Sequence, residues 1–313
     1  MRNTLLTVIS LFILEISFAQ GKQVIETKDI DNFWSAFDSL KYATSVNDSI
    51  NIIQARYIDQ ASNYFKEFIK LRKFTAEEYI TLIKKYPKFW SSIRKETENV
   101  KFRKAEIEKV LDVYEKALPE FKRPNVCFAI GCLRTGGTTR DNLIVIGTEL
   151  AASTTETNKS ELSPWLKSII GTLGDIFSMV AHEAIHIQQK DGLLKNLVEF
   201  SMNEGVADFL SEKITGYNIN KITYKYGFEN DCTLRIEFLN DFSKNKINFS
   251  GWLFNGGKSV NRPANLGYYI GYRVAEEYYF NATDKKEAVS ALLNTKNYMK
   301  IFKQSKYINK GCS

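Results

Sequence analysis

The chain has 313 residues, 44% of them apolar and 25% charged, with five prolines and a formal net charge of +7. That length supports a sizeable hydrophobic core in one large or two modest domains, and the composition excludes a disordered or collagen-like chain. The basic residues are scattered and come with no nucleic-acid-binding motif, so the charge reads as a solubility property and no nucleic-acid partner is expected.

Residues 1–19 read as a secretory signal peptide. Arg2 supplies the positive start, LLTVISLFILEISF (5–18) the apolar stretch, and Ser17 and Ala19 the small residues before a cleavage point at Gln20. The stretch is short for a spanning helix, and Glu15 interrupts it. No cysteine stands at the cleavage point, so lipid attachment is not expected. No later segment is long and apolar enough to span a bilayer. The expected location is periplasmic or extracellular, where Cys127, Cys132, Cys232 and Cys312 meet oxidising conditions. Cys127 and Cys132 share one apparent strand and would lie about 17 Å apart if fully extended. Bonded Cα atoms lie within roughly 7 Å, so that pair would need a sharp bend at Gly131. A Cys232–Cys312 bridge tying down the C-terminus is the expectation.

In chain order, residues 20–121 form a helical region without a chemical motif. Asp48 is placed as the cap of a helix through NIIQARYIDQASNYFKEFIKL, and Thr75-Ala76-Glu77-Glu78 as a capping box ahead of YITLIKKY. A third helical pattern starts near residue 101 and stops around Pro119. The character then changes: NVCFAIGCL reads as a strand, RTGGTTRDN as a Gly-rich turn and LIVIGTEL as a second strand, together a hairpin or part of a small sheet. Ser163-Pro164 opens a helical region that runs to about Lys190, with a fresh start near Gly174. Asp191-Gly192 stops it, and another helix covers roughly 194–215, ending at Gly216. Residues 266–282 and 284–304 are further helical stretches. The fold class is α+β, mainly helical, with a small sheet or hairpin beside a pair of central helices.

The chemistry concentrates in His182-Glu183-Ala184-Ile185-His186, which holds both histidines of the chain. On a helix, two residues four apart differ by about 40° in direction and about 6 Å along the axis, so both imidazoles can grip one metal ion. Glu183, turned about 100° from His182, can reach a zinc-polarised water and accept its proton. With no further histidine and no cysteine nearby, the third ligand must be a carboxylate. Glu204 follows His186 by 18 residues, on the next helix after a tight turn, where an antiparallel helix pair brings it back. Asp208, one turn further on the same face, either orients a ligand imidazole or is a solvated acid. Asp175 reads as an ordinary helix acid.

The HExxH pattern followed by Asn203-Glu204-Gly205-Val206-Ala207-Asp208 resembles the gluzincin metallopeptidases, of which thermolysin-like enzymes carry the same Asn-Glu-x-x-x-Asp run. The resemblance implies zinc held by His182, His186 and Glu204, Glu183 as general base and Asp208 orienting a histidine. More closely, Gly136-Gly137-Thr138, VAHEAIHIQQ, NEGVADFLSE and RPANLGYYIGYRVAEEYY resemble a family of zinc-dependent proteases, some described as related to a gliding-motility lipoprotein. That likeness covers roughly residues 120–305 and implies a zincin-like metallohydrolase domain over 122–313. The chain lacks a lipobox cysteine, so lipoprotein status does not carry over. It also lacks the further histidine that stabilises the oxyanion in thermolysin-like enzymes, which leaves that role to Tyr, Arg or backbone. Tyr268 and Tyr272 are the candidates, with Arg273 or the backbone next. The competing reading makes both tyrosines helix-packing residues.

The expected activity is that of a zinc metallopeptidase acting on a peptide or protein substrate. The alternatives are an amidase-like zinc hydrolase and a catalytically weak, zinc-containing motility or cell-surface accessory protein. Glu183 argues against the last, because a structural zinc site needs no base and is normally closed by four protein ligands. The Gly-rich segment 134–142 and LIVIGTEL either line a cleft that pairs with extended substrate or form an ordinary structural hairpin.

Overall fold

Val126–Ala129 and Leu143–Gly147 are buried residue after residue, without the alternation of a half-exposed strand. In the computed structural model, which describes residues 23–172, 175–190, 192, 194–244, 249–255 and 261–312, these segments are the two central strands of a four-stranded mixed sheet. The strands are β1 (Ile25–Glu26), β2 (Asn125–Ala129), β3 (Gly137–Arg140) and β4 (Leu143–Gly147), in the order β1-β2-β4-β3. β2 lies parallel to both β1 and β4, with Cys127 opposite Val145. β3 is antiparallel to β4, with Thr138 opposite Val145. The two expected strands therefore pair in parallel. The hairpin is instead formed by β4 and a strand drawn from the Gly-rich segment, where the sequence predicts a turn.

Among the described residues, six α-helices precede the sheet's centre: α1 (Lys28–Ser39), α2 (Val46–Ile53), α3 (Asn63–Arg72), α4 (Ala76–Lys85), α5 (Pro87–Asn99) and α6 (Lys104–Ala117). Thr75 caps α4 as expected, its side chain accepting from Glu78 N–H. Asp48 does not cap α2. Ser45 does, by accepting from Asp48 N–H, and Asp48 reaches back to accept from Thr44 N–H in a reciprocal arrangement. The long helix expected over 51–71 continues from α2 as a π-helix over Gln54–Ile58, breaks at residues 59–62 and restarts at Asn63, capped by Ser62. Buried Phe33, Tyr57, Phe65, Tyr79 and Trp90 form an aromatic core here, and the Tyr57 and Tyr79 hydroxyls both donate to Ile130 O just beyond β2, at 2.6 and 2.7 Å.

After β4 come α7 (Thr148–Ala151), α8 (Pro164–Thr172), α9 (Ile176–Gln188), α10 (Leu197–Thr215), α11 (Lys221–Glu229), α12 (Asp231–Ser243), α13 (Leu266–Asn281), α14 (Lys285–Asn294) and α15 (Tyr298–Gln304). The stretch expected as one helix over 284–304 is two, parted after Asn294. A Cys232–Cys312 disulfide ties the C-terminal segment to α12, and Cys127 and Cys132 are free and buried. The molecule is a mainly helical α+β fold. No described helix is long and apolar enough to cross a membrane. The expected signal segment, Gly174 and Asp191 lie outside the described residues.

Side-chain parity shows how the sheet is covered. Gly137 faces Met179 and Glu183 of α9, whereas Arg140, three residues on and so on the opposite face, pairs with Glu67 of α3 at 3.6 Å. The sheet lies between α3 and α9, with β3 at its edge.

Candidate metal centre

α9 is a core helix: Ile176 to Ile185 are all buried. Asp175, read as an ordinary acid, is its cap, accepting from Phe177 N–H at 3.0 Å and from the Ser178 hydroxyl at 2.9 Å. The buried length fixes His182 and His186 on the face turned toward α10, where their Nε2 atoms lie 3.0 Å apart. Glu204 on α10 places Oε2 3.4 Å from each of them. A tetrahedral ion with bonds of about 2.0–2.1 Å spaces its ligand atoms about 3.3 Å apart. The three expected ligands therefore form a triangle of the right size for one ion.

Hydrogen bonding on the far side of each ring supports the same reading. His182 Nδ1 lies 2.7 Å from Asp208 Oδ1, and His186 Nδ1 lies 2.6 Å from Gln189 Oε1. Gln189 is oriented by its own amide, which donates to Asn203 O at 2.8 Å and to the Tyr298 hydroxyl at 3.1 Å. Both rings thus carry their proton on Nδ1, and two Nε2 lone pairs and a carboxylate converge on one point. That point calls for positive charge. Burial disfavours charge on His182 and His186, yet Asp208 and Glu204 outweigh it and raise both imidazoles. Burial likewise works against the Glu204 carboxylate, but His186 and His182 hold it well below the usual carboxylate range.

Asp208 is fully buried. Its second oxygen accepts from Asn220 at 2.7 Å and from the Tyr224 hydroxyl, so the orienting reading of Asp208 fits and the solvated one does not. Gln189, Asn220, Tyr224 and Tyr298 were not anticipated. Gln189 is the extended residue that closes α9 just past Gln188, so helical periodicity does not place it, and the others reach the site through tertiary packing.

Glu183 is buried against β3, and burial raises its carboxyl while His186 and His182 oppose the rise. A Cβ at Gly137 would stand 2.7 Å from its Oε1, so glycine there leaves room for the carboxylate.

α13 brings Tyr268 to the centre and leaves Tyr272 outside it. α10 and α13 touch backbone to backbone: a Cβ at Gly205 would collide with Gly271 and Tyr272, and one at Gly271 with Ser201. The contacts advance in the same sense along both helices, so each turn of α13 meets the next turn of α10. The Tyr268 ring stacks beside His182 at 6.4 Å and 18°, and its phenol, kept neutral by burial and by Glu204, lies against Glu204. Tyr272 falls one turn later, edge-on to Phe209 and Tyr224, with its hydroxyl beside Glu212. Arg273 is engaged by Glu276 and Asp231.

Compared with known protein families, curated proteins and solved structures, the chain has no match.

Proposed function

We propose that this chain is an exported zinc-dependent metallopeptidase of the gluzincin type. The observation that carries the reading is the His182–His186–Glu204 triangle with Glu183 buried beside it on the helix of the two histidines. Three protein ligands leave a coordination position for a reactant, where a structural zinc site would be closed by four. Zinc held there supplies Lewis acidity toward a carbonyl oxygen and lowers the pKa of a water molecule. Glu183 takes the proton of the attacking water on a carboxylate oxygen and passes it to the leaving amine nitrogen. Asp208 and Gln189 keep the two imidazoles in the Nδ1–H tautomer. Tyr268 donates its hydroxyl to the negative charge that develops on the substrate oxygen.

Peptide is favoured over other substrates by β3. It is the edge of the sheet, with no strand on its outer side among the described residues, and Gly137 in it adjoins Glu183. An extended chain pairing with that edge passes the general base. Export is supported by the Cys232–Cys312 disulfide, which suits an oxidising compartment.

A mass-spectrometric screen of a peptide library tests the proposal. Zinc-loaded wild-type protein should cleave internal or terminal peptide bonds, and Glu183→Gln, at equal zinc content, should be slower by at least about 100-fold. Undiminished turnover by zinc-loaded Glu183→Gln would point to another base or another chemistry.

A further inference from the structure

Arg72, the last residue of α3, brings a positive charge to the start of β3. Its Nη2 lies 3.4 Å from Thr135 Oγ1, and that hydroxyl donates to Gly137 O at 2.9 Å. Gly137 is the residue against which the Glu183 carboxylate rests. The Arg72 Nε is buried and has no hydrogen-bond partner among the described residues. The nearby Arg134 is differently placed: it pairs with Glu78 at 3.0 Å, donates to Arg72 O at 2.8 Å and lies over the Phe74 ring. Arg72 has no such carboxylate partner among the described residues, and the acidic group that acts on it is Glu183. A partly buried guanidinium with unused donors bears a desolvation cost, and its planar fork matches a carboxylate.

We propose that Arg72 binds a carboxylate of the substrate close to the scissile bond. The inference rests on the peptidase reading and gives it a substrate class, acidic peptides. A peptide laid along the edge of β3 runs between α3 and α9, and its end near Thr135 meets the guanidinium. The carboxylate is supplied either by an Asp or Glu side chain or by the free C-terminus of the peptide.

Binding, measured by fluorescence anisotropy on the zinc-loaded full chain, tests this without depending on turnover. Four labelled hexapeptides serve as probes: one with a free C-terminus, its amide, an amide with an internal Glu, and the Gln counterpart. At least one acidic peptide should bind about 10- to 100-fold tighter than its neutral partner, as expected for a charge-assisted hydrogen bond. Which pair shows the difference identifies the source of the carboxylate. In Arg72→Gln that ratio should fall to about 1, and Arg72→Lys should restore part of it. Equal affinities in the wild type, no binding of any probe, or an unchanged ratio in Arg72→Gln overturns the inference. So does an equal loss on acidic and neutral peptides, the mark of an arginine that only steadies Glu183. Selective binding without any hydrolysis would sink the peptidase reading and leave Arg72 as an anion-binding residue; hydrolysis without selectivity would do the reverse.

Discussion

Each imidazole of the centre has one nitrogen committed to the protein and one left for a ligand, and the side chains opposite Nδ1 decide which is which. The same logic separates the two tyrosines of α13. A phenol against Glu204 and stacked beside His182 can donate to charge that develops at the centre; one beside Glu212, inside an aromatic cluster, cannot reach it. Tyr268→Phe should therefore lower kcat by roughly 10- to 1,000-fold with a smaller effect on KM, because the contact forms mainly in the transition state. Tyr272→Phe should keep near-normal kcat. Steady-state kinetics on both variants decide the matter, and a loss confined to Tyr272→Phe would reverse the assignment.

At the scale of elements, the centre depends on two close approaches made possible by missing side chains. Gly205 and Gly271 let α10 and α13 meet at their backbones, which sets Tyr268 against Glu204. Gly205→Ala should push the helices apart and cost about 2–3 kcal/mol in urea denaturation, at the upper end for overpacking a tight interface. A variant as stable as the wild type would mean that the helices do not meet there. The turn after β2 is held by Glu149, a fully buried carboxyl that accepts from Gly131 N–H at 2.7 Å and Leu133 N–H at 3.0 Å. Burial raises its pKa from 4.5 to about 7, against those hydrogen bonds. Because the folded value is the higher one, its contribution to stability is complete below pH 4.5 and is lost as pH rises through about 7. The loss amounts to about 3 kcal/mol. Glu149→Gln should remove that fall, seen as a flatter profile of unfolding free energy between pH 4.5 and 8 than in the wild type; parallel profiles would contradict it. Much of this level was legible beforehand where local chemistry dominates: the Thr75 cap and the Gly216 stop of α10 both follow from short-range pattern, whereas the Asp175 cap of α9 does not stand out from it. Ser45 displaced Asp48 as a cap because both can accept backbone N–H groups three residues apart, and sequence alone does not rank them.

Over the whole molecule, the grouping of His182, His186 and Glu204 was readable because HExxH and the Asn203–Asp208 run are local patterns on adjacent helices. The pairing of β2 with β4, the use of the Gly-rich segment as β3, and the arrival of Arg72, Asn220, Tyr224 and Tyr298 were not, since each depends on contacts between residues distant in sequence. The sheet, α3, α9 and α10 together place an open strand edge, the Glu183 carboxylate and three side chains that could hold a metal ion in one region. The most direct test of that arrangement is a zinc titration of metal-stripped protein, with peptide hydrolysis followed at each addition. Activity should be absent without zinc, rise in proportion to zinc bound and level off at one equivalent, while Glu204→Ala should bind zinc far more weakly. Full hydrolysis by the stripped protein, or wild-type zinc affinity in Glu204→Ala, would contradict the account.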